Sequence, residues 1–192
     1  MHASGVTETA SVQPARSPDP IDEPRAYQEM LVGLVGSDDP ATVQAATTGL
    51  IRELLAQAGG DLRTRPEPGE WSVLECVAHI LDAEIVVSGR YRWILAHDQP
   101  ELIGYDQDLW VDNLHQPTED PDELLALLQP LRSANLALWA RTPDERRQRF
   151  GLHRERGPES YALTFTLIAG HDRFHLAQGQ RALDQIRDRT VE

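Results

Sequence analysis

Lysine is missing from this 192-residue chain, so its 18 basic residues are all arginine, and they face 31 carboxylates for a formal net charge of −13 at pH 7. A surface of that sign repels phosphate backbones, and no clustered basic stripe overrides it, so nucleic acid is not an expected partner. Cysteine is almost as scarce. Cys76 stands alone, which excludes an intramolecular disulfide and fits a reducing compartment. No apolar run approaches the ~20 residues that span a bilayer, and the first two dozen residues lack the basic start and apolar stretch of a secretory signal. The expectation is a soluble, cytoplasmic protein with no membrane contact. Also missing are a nucleophile elbow, a Cys/His pair at a known catalytic spacing and a phosphate loop. No alternating runs joined by Asn-Gly or Asp-Gly suggest a hairpin.

What is present is helical periodicity and enough apolar residues, 40% of the chain, for one core. We expect a disordered N-terminal tail over residues 1–23, rich in Ala, Ser, Thr and Pro, and one helical domain over 24–188. A short helix over Tyr27 to Val35 is stopped by Gly36 and the Ser37-Asp38-Asp39-Pro40 group. A first long helix runs from Pro40 to about Ala58, with Val43, Ala46, Leu50, Leu54 and Leu55 as its apolar positions and Gly59-Gly60 as its end. Ser72 with Glu75 three residues on has the form of a capping box, which sets the register of a second helix from Ser72 to about His97. Its stripe is Leu74, Val77, Leu81, Ile85 and Ser88. A short helix around Trp110, over Asp106 to Asn113, precedes a third long helix that Asp120-Pro121-Asp122-Glu123 starts. Leu124, Leu128, Leu131 and Leu138 give its buried face, and Pro130 is expected to kink or split it. A polar loop with Gly151, Gly157 and Pro158 leads to the last helix, about Glu159 to Ile186.

That last helix carries His171 and His175, four residues apart and therefore one above the other on one face. Two neutral imidazoles so placed can chelate a divalent ion if a third ligand arrives, and His79 on the second helix is the candidate. Core histidines hydrogen-bonded to their neighbours would account for the pair equally well.

The surroundings of these histidines point further. Trp71-Ser72 followed by Glu75 and His79, then Leu81 and Glu84, resembles the W-S-x-x-E-x-x-x-H-L-x-D-x-E signature of the DinB-like (YfiT-type) metalloenzymes, with Ile80 where the family usually has Leu. The resemblance extends from Pro40 to Leu183 and takes in the His171-Asp-Arg-x-His175-x-Ala-Gln178 run. It implies an all-α fold, a four-helix bundle in up-down-down-up order, with His79, His171 and His175 as the metal ligands. It also implies a divalent ion, and three imidazoles suit zinc, nickel, iron(II) or copper. Three protein ligands leave positions open, as at catalytic sites, and the ion would strongly acidify a water or thiol bound there.

Two functions are in view. One is an enzyme on a small-molecule substrate: a metal-dependent hydrolase, or a transferase of the kind some relatives suggest, using a low-molecular-weight thiol such as mycothiol or bacillithiol. The other is a metal- or ligand-binding stress-response protein without turnover. The family also implies a homodimer. Glu75 is read as the capping partner only, and Asp82 either orients His79 or is solvated. Cys76 is read as a small buried hydrophobe, His97 and His115 as surface residues, and His153 as a surface-loop residue with pocket lining as its alternative. Tyr105, Trp110 and Trp139 wall a cavity or pack the core.

Overall fold

The computed structural model describes residues 17–20 and 22–191, so most of the expected tail lies outside the described residues. Four long helices make the bundle: α2 (Pro40–Ala58), α3 (Val73–Ala96), α5 (Pro121–Arg141) and α7 (Tyr161–Val191), with α1 (Pro24–Val35), α4 (Gln107–Leu114) and α6 (Asp144–Arg147) around them. A 3₁₀ turn (Gly59–Arg63) follows α2, and β1 (Glu101–Leu102), β2 (Phe150–His153) and β3 (Gly157–Ser160) form a small sheet. Helices α2 and α3 each pack against both α5 and α7, and α1 lies along α7. No helix among the described residues is long and apolar enough to cross a membrane.

Side-chain caps start the helices where orphan N–H groups need acceptors. Asp39 accepts from Thr42 N–H at 3.0 Å, Asp106 from Leu109 N–H at 3.0 Å and Asp120 from Asp122 N–H at 2.9 Å. The capping box is complete, with Ser72 N–H donating to Glu75 Oε2 at 2.7 Å and Glu75 N–H to Ser72 Oγ at 3.3 Å. Pro130 does not split α5. It sits on the exposed face, so the carbonyl left without its helical donor faces water.

Two expectations are corrected. The buried face of α2 is Val43, Thr47, Ile51, Leu54 and Ala58 rather than a stripe through Leu50, which is 45% exposed. The helix is turned because Gln44 and Thr47 go inward, where Gln44 donates to the Phe165 carbonyl and Thr47 to Asp172 Oδ2. The expected polar loop before α7 is instead a hairpin, β2 antiparallel to β3, with β1 added parallel to β2. Residues 154–156 close it and Gly157, at φ +78°, supplies the left-handed residue that a three-residue hairpin loop uses.

Apolar packing fills the bundle around Ile51, Leu54, Val77, Leu81, Leu128 and Leu183. Toward the hairpin end, Trp139 stacks on Phe165 at 4.0 Å beside Tyr91 and Tyr161, which makes Trp139 a core residue. Between them lies a buried polar knot drawn from all four long helices. Arg132 donates to Glu84 Oε2 at 3.0 Å and to Asp172 Oδ1 at 3.2 Å; Asn135 donates to Glu84 Oε1 at 2.7 Å, and Thr47 to Asp172 Oδ2 at 2.7 Å. Glycine at 170 sets how close α1 comes: a Cβ there would stand 2.0 Å from the Leu31 carbonyl oxygen.

Candidate metal centre

The capping box at Ser72 starts α3 and so directs His79, nearly two turns on, toward α7, where His171 and His175 face it one turn apart. All three rings are buried, and their ligand atoms lie within 4.8 Å of one another. His79 Nε2 and His171 Nε2 are 2.9 Å apart. Two nitrogens sharing a tetrahedral zinc at ~2.0 Å stand roughly 3.3 Å apart, so a small relaxation accommodates an ion. His175 donates from Nδ1 to Gln178 Oε1 at 2.8 Å, which leaves the lone pair of its buried Nε2 free of any partner among the described residues. An acceptor on the other ring nitrogen fixes tautomer and ring angle at metal sites.

Burial keeps these rings neutral. It drives the pKa of His79 and His171 well below 6.5, helped by the neighbouring imidazoles, and pushes His175 down to about 4 against the opposing pull of Gln178. Neutral imidazole is the ligating form, so the donor set fits a divalent cation chemically as well as geometrically. Trp71, itself buried, stacks on His175 at 5.7 Å and tilts against His79 at 4.9 Å, packing the cluster on one side.

Of the carboxylates near His79, neither orients it. Glu75 is held by Ser72 and by Arg65, whose Nε donates to Oε1 at 2.9 Å, in keeping with a capping role. Asp82 instead meets His115 Nε2 at 2.9 Å. That contact corrects the surface reading of His115, whose side chain is 10% exposed and wedged between Asp82 and Glu119. His97 is exposed, as expected. Cys76 is buried beside Trp71 and Val111, and burial pushes its thiol pKa up, which makes it an inert hydrophobe.

A cavity of about 400 Å³ adjoins His171. Leu31, Val86 and Ile168 give it apolar walls, and Arg90, Tyr105 and His153 give it a polar end. His153 is therefore not a surface residue: it faces inward from β2, its Nδ1 accepts from Glu155 N–H at 3.4 Å, and it is pushed down to about 4 by burial. Tyr105 packs its ring 6.2 Å from His79 and 4.5 Å from Trp110. Gln178, His153 and Arg90 were not singled out by helical spacing as site residues. Only the three-residue step from His175 to Gln178 carried a signal.

Residues 39–178 match the model of the DinB superfamily. This chain belongs to that superfamily. A provisionally named metal-dependent hydrolase of Oceanobacillus iheyensis is 26% identical over 116 residues, 60% of this chain and 66% of the relative. YfiT of Bacillus subtilis, provisionally named in the same way, is 29% identical over 118 residues, again 60% and 66%. The chain thus spans just under two thirds of the length of these curated relatives. A solved structure of YfiT, described as a probable metal-dependent hydrolase with an unusual four-helix bundle topology, superposes with a TM-score of 0.70 at 20% identity, over 91% of this chain and 93% of the other. The four-helix bundle of the DinB superfamily is accordingly the fold of this chain.

Proposed function

We propose that this DinB-superfamily chain is a metal-dependent enzyme on a small-molecule substrate, with His79, His171 and His175 holding one divalent ion. The observation that carries the reading is the convergence of three buried, neutral imidazoles beside a cavity of about 400 Å³. An ion held by three neutral ligands supplies undiminished Lewis acidity at its open positions. The chain's own contributions are definite. Gln178 holds the proton of His175 at Nδ1, Trp71 packs against the rings of His79 and His175, and the cavity offers an organic molecule a path to His171. Hydrolysis is the preferred reaction, since both relatives are provisionally named hydrolases. Transfer of a low-molecular-weight thiol, bound as thiolate, is the second chemistry that an open ion permits. Room beside the histidines favours turnover over mere storage of the ion. Zinc, nickel and iron(II) all suit the donor set.

The test is metal content by plasma mass spectrometry on protein without a histidine tag. Wild type is expected to carry near one equivalent of a transition metal, and the His171→Ala/His175→Ala variant little. Metal absent from both, even after reconstitution, would return the histidines to the core. Full activity of His79→Ala in hydrolase and thiol-transfer screens would remove the enzyme reading.

A further inference from the structure

The chain buries two arginines and treats them in opposite ways. Arg132 is 3% exposed and meets two carboxylates, Glu84 and Asp172. Arg90 is 5% exposed, yet among the described residues it forms no ion pair. Its Nη2 donates to the Ile103 carbonyl and, at 3.3 Å, to His153 Nε2, while its Nε is buried without an acceptor among the described residues. Burial, first, and the nearby Arg156 weigh against its charge, and the more distant Glu159 and Glu155 offset them only in part. A buried cation without a counter-ion is costly unless an anion arrives to complete it.

The neighbours do not supply that anion. Arg156 is already matched by Glu159, which also accepts from Gln28 at 2.7 Å. Glu155 lies 3.0 Å from the neutral His153 and, like Glu159, favours the charge of Arg90 without forming an ion pair with it, and Asp106 and Asp108 stand at the exposed rim. The cavity that reaches His171 is lined by Arg90, a cation with no ion pair among the described residues, and by the apolar Leu31, Val87 and Ile168 among others.

We propose that Arg90 anchors the carboxylate of the substrate, and that the substrate class is an organic acid with an apolar body of several carbons lying between Arg90 and the histidine cluster. This rests on the metal-enzyme reading above for what happens at the other end of the molecule. A monoanion is assigned over a phosphate because a single guanidinium without an ion pair, behind a rim of carboxylates, matches one charge, and its buried Nε–H is the donor left for an acceptor. Arg90 acts as a specificity-determining residue and takes no part in bond making.

The experiment is calorimetric titration of the full chain after chelator treatment, with hexanoate, hexanamide and inorganic phosphate as probes. Hexanoate is expected to bind roughly tenfold or more tightly than hexanamide, the margin of a charge-assisted pair. Arg90→Met is expected to erase that margin and Arg90→Lys to keep most of it, with metal uptake of both variants unchanged. Equal binding of hexanoate and hexanamide by wild type overturns the assignment, and needs no variant to fold. A preference that survives Arg90→Met overturns it too, as does Arg90-dependent binding of phosphate with none of hexanoate. Because the titration needs no metal, an empty histidine cluster would sink the metal reading while leaving the anchor to be judged on its own.

Discussion

At the scale of single residues, His115 shows how a side chain can be read from the wrong surroundings. It follows the last residue of α4, at the edge of a loop, but its partners, Asp82 and Glu119, arrive from α3 and from the loop before α5. Burial lowers its pKa and the two carboxylates raise it by more, so the balance is upward from 6.5. A group whose folded pKa is raised stabilises the fold fully below its unfolded value, and that stabilisation disappears as pH rises through the folded value. His115→Gln is therefore expected to lower Tm by several degrees at pH 5.5, of the order that ~1 kcal/mol produces, and by much less at pH 8.5, as thermal melts at the two pH values will show. A loss that is the same at both pH values would mean that shape, not charge, holds His115. The metal-candidate histidines were legible because helical spacing puts 171 and 175 on one face and a capping box fixes the register of 79. Arg90 and His153 were not, since their meeting joins α3 to the hairpin across 63 residues, and no periodicity spans such a gap.

Elements were legible in proportion to their local punctuation. The proline, acidic and serine starts of α2, α3 and α5 mark orphan N–H groups that need acceptors, and the structure uses each of them. The hairpin escaped because β2 and β3 are four residues each and carry few alternating apolar side chains. The Gly157 turn, with φ +78°, was their only strong mark. The docking of α1 was equally hidden, because it depends on a side chain that is not there. Gly170→Ala would put a methyl group 2.0 Å from the Leu31 carbonyl, so α1 must lift away from α7. Overpacking of this kind is expected to cost about 1–3 kcal/mol, read as a lower urea midpoint with faster amide exchange over residues 24–35. Gly49→Ala is the contrast: it is exposed in α2 with nothing within 4 Å of the new methyl, and is expected to raise stability by up to ~1 kcal/mol. If Gly170→Ala proved as harmless as Gly49→Ala, the close seating of α1 would be wrong.

On the scale of the molecule, the bundle is tied across its interior by Arg132, which binds Glu84 of α3 and Asp172 of α7 and sits beside the Thr47 hydroxyl of α2. Removing the cation leaves two buried carboxylates without compensation. Arg132→Met is expected to lose about 3–5 kcal/mol, as broken buried pairs do, measured as the urea midpoint at constant m-value. A loss below ~1 kcal/mol would mean that water reaches the knot. Asp172 directly follows His171, so this tie also sets where the histidine cluster stands relative to the four helices. Helix α1 stands outside that tie and outside the matched span of residues 39–178, yet Tyr27, Gln28 and Leu31 from it wall the cavity. The cavity is thus walled from both sides of the boundary of the matched span. Changes confined to the twelve residues of α1 would therefore reshape one wall of the cavity while leaving Arg90 and the three histidines in place.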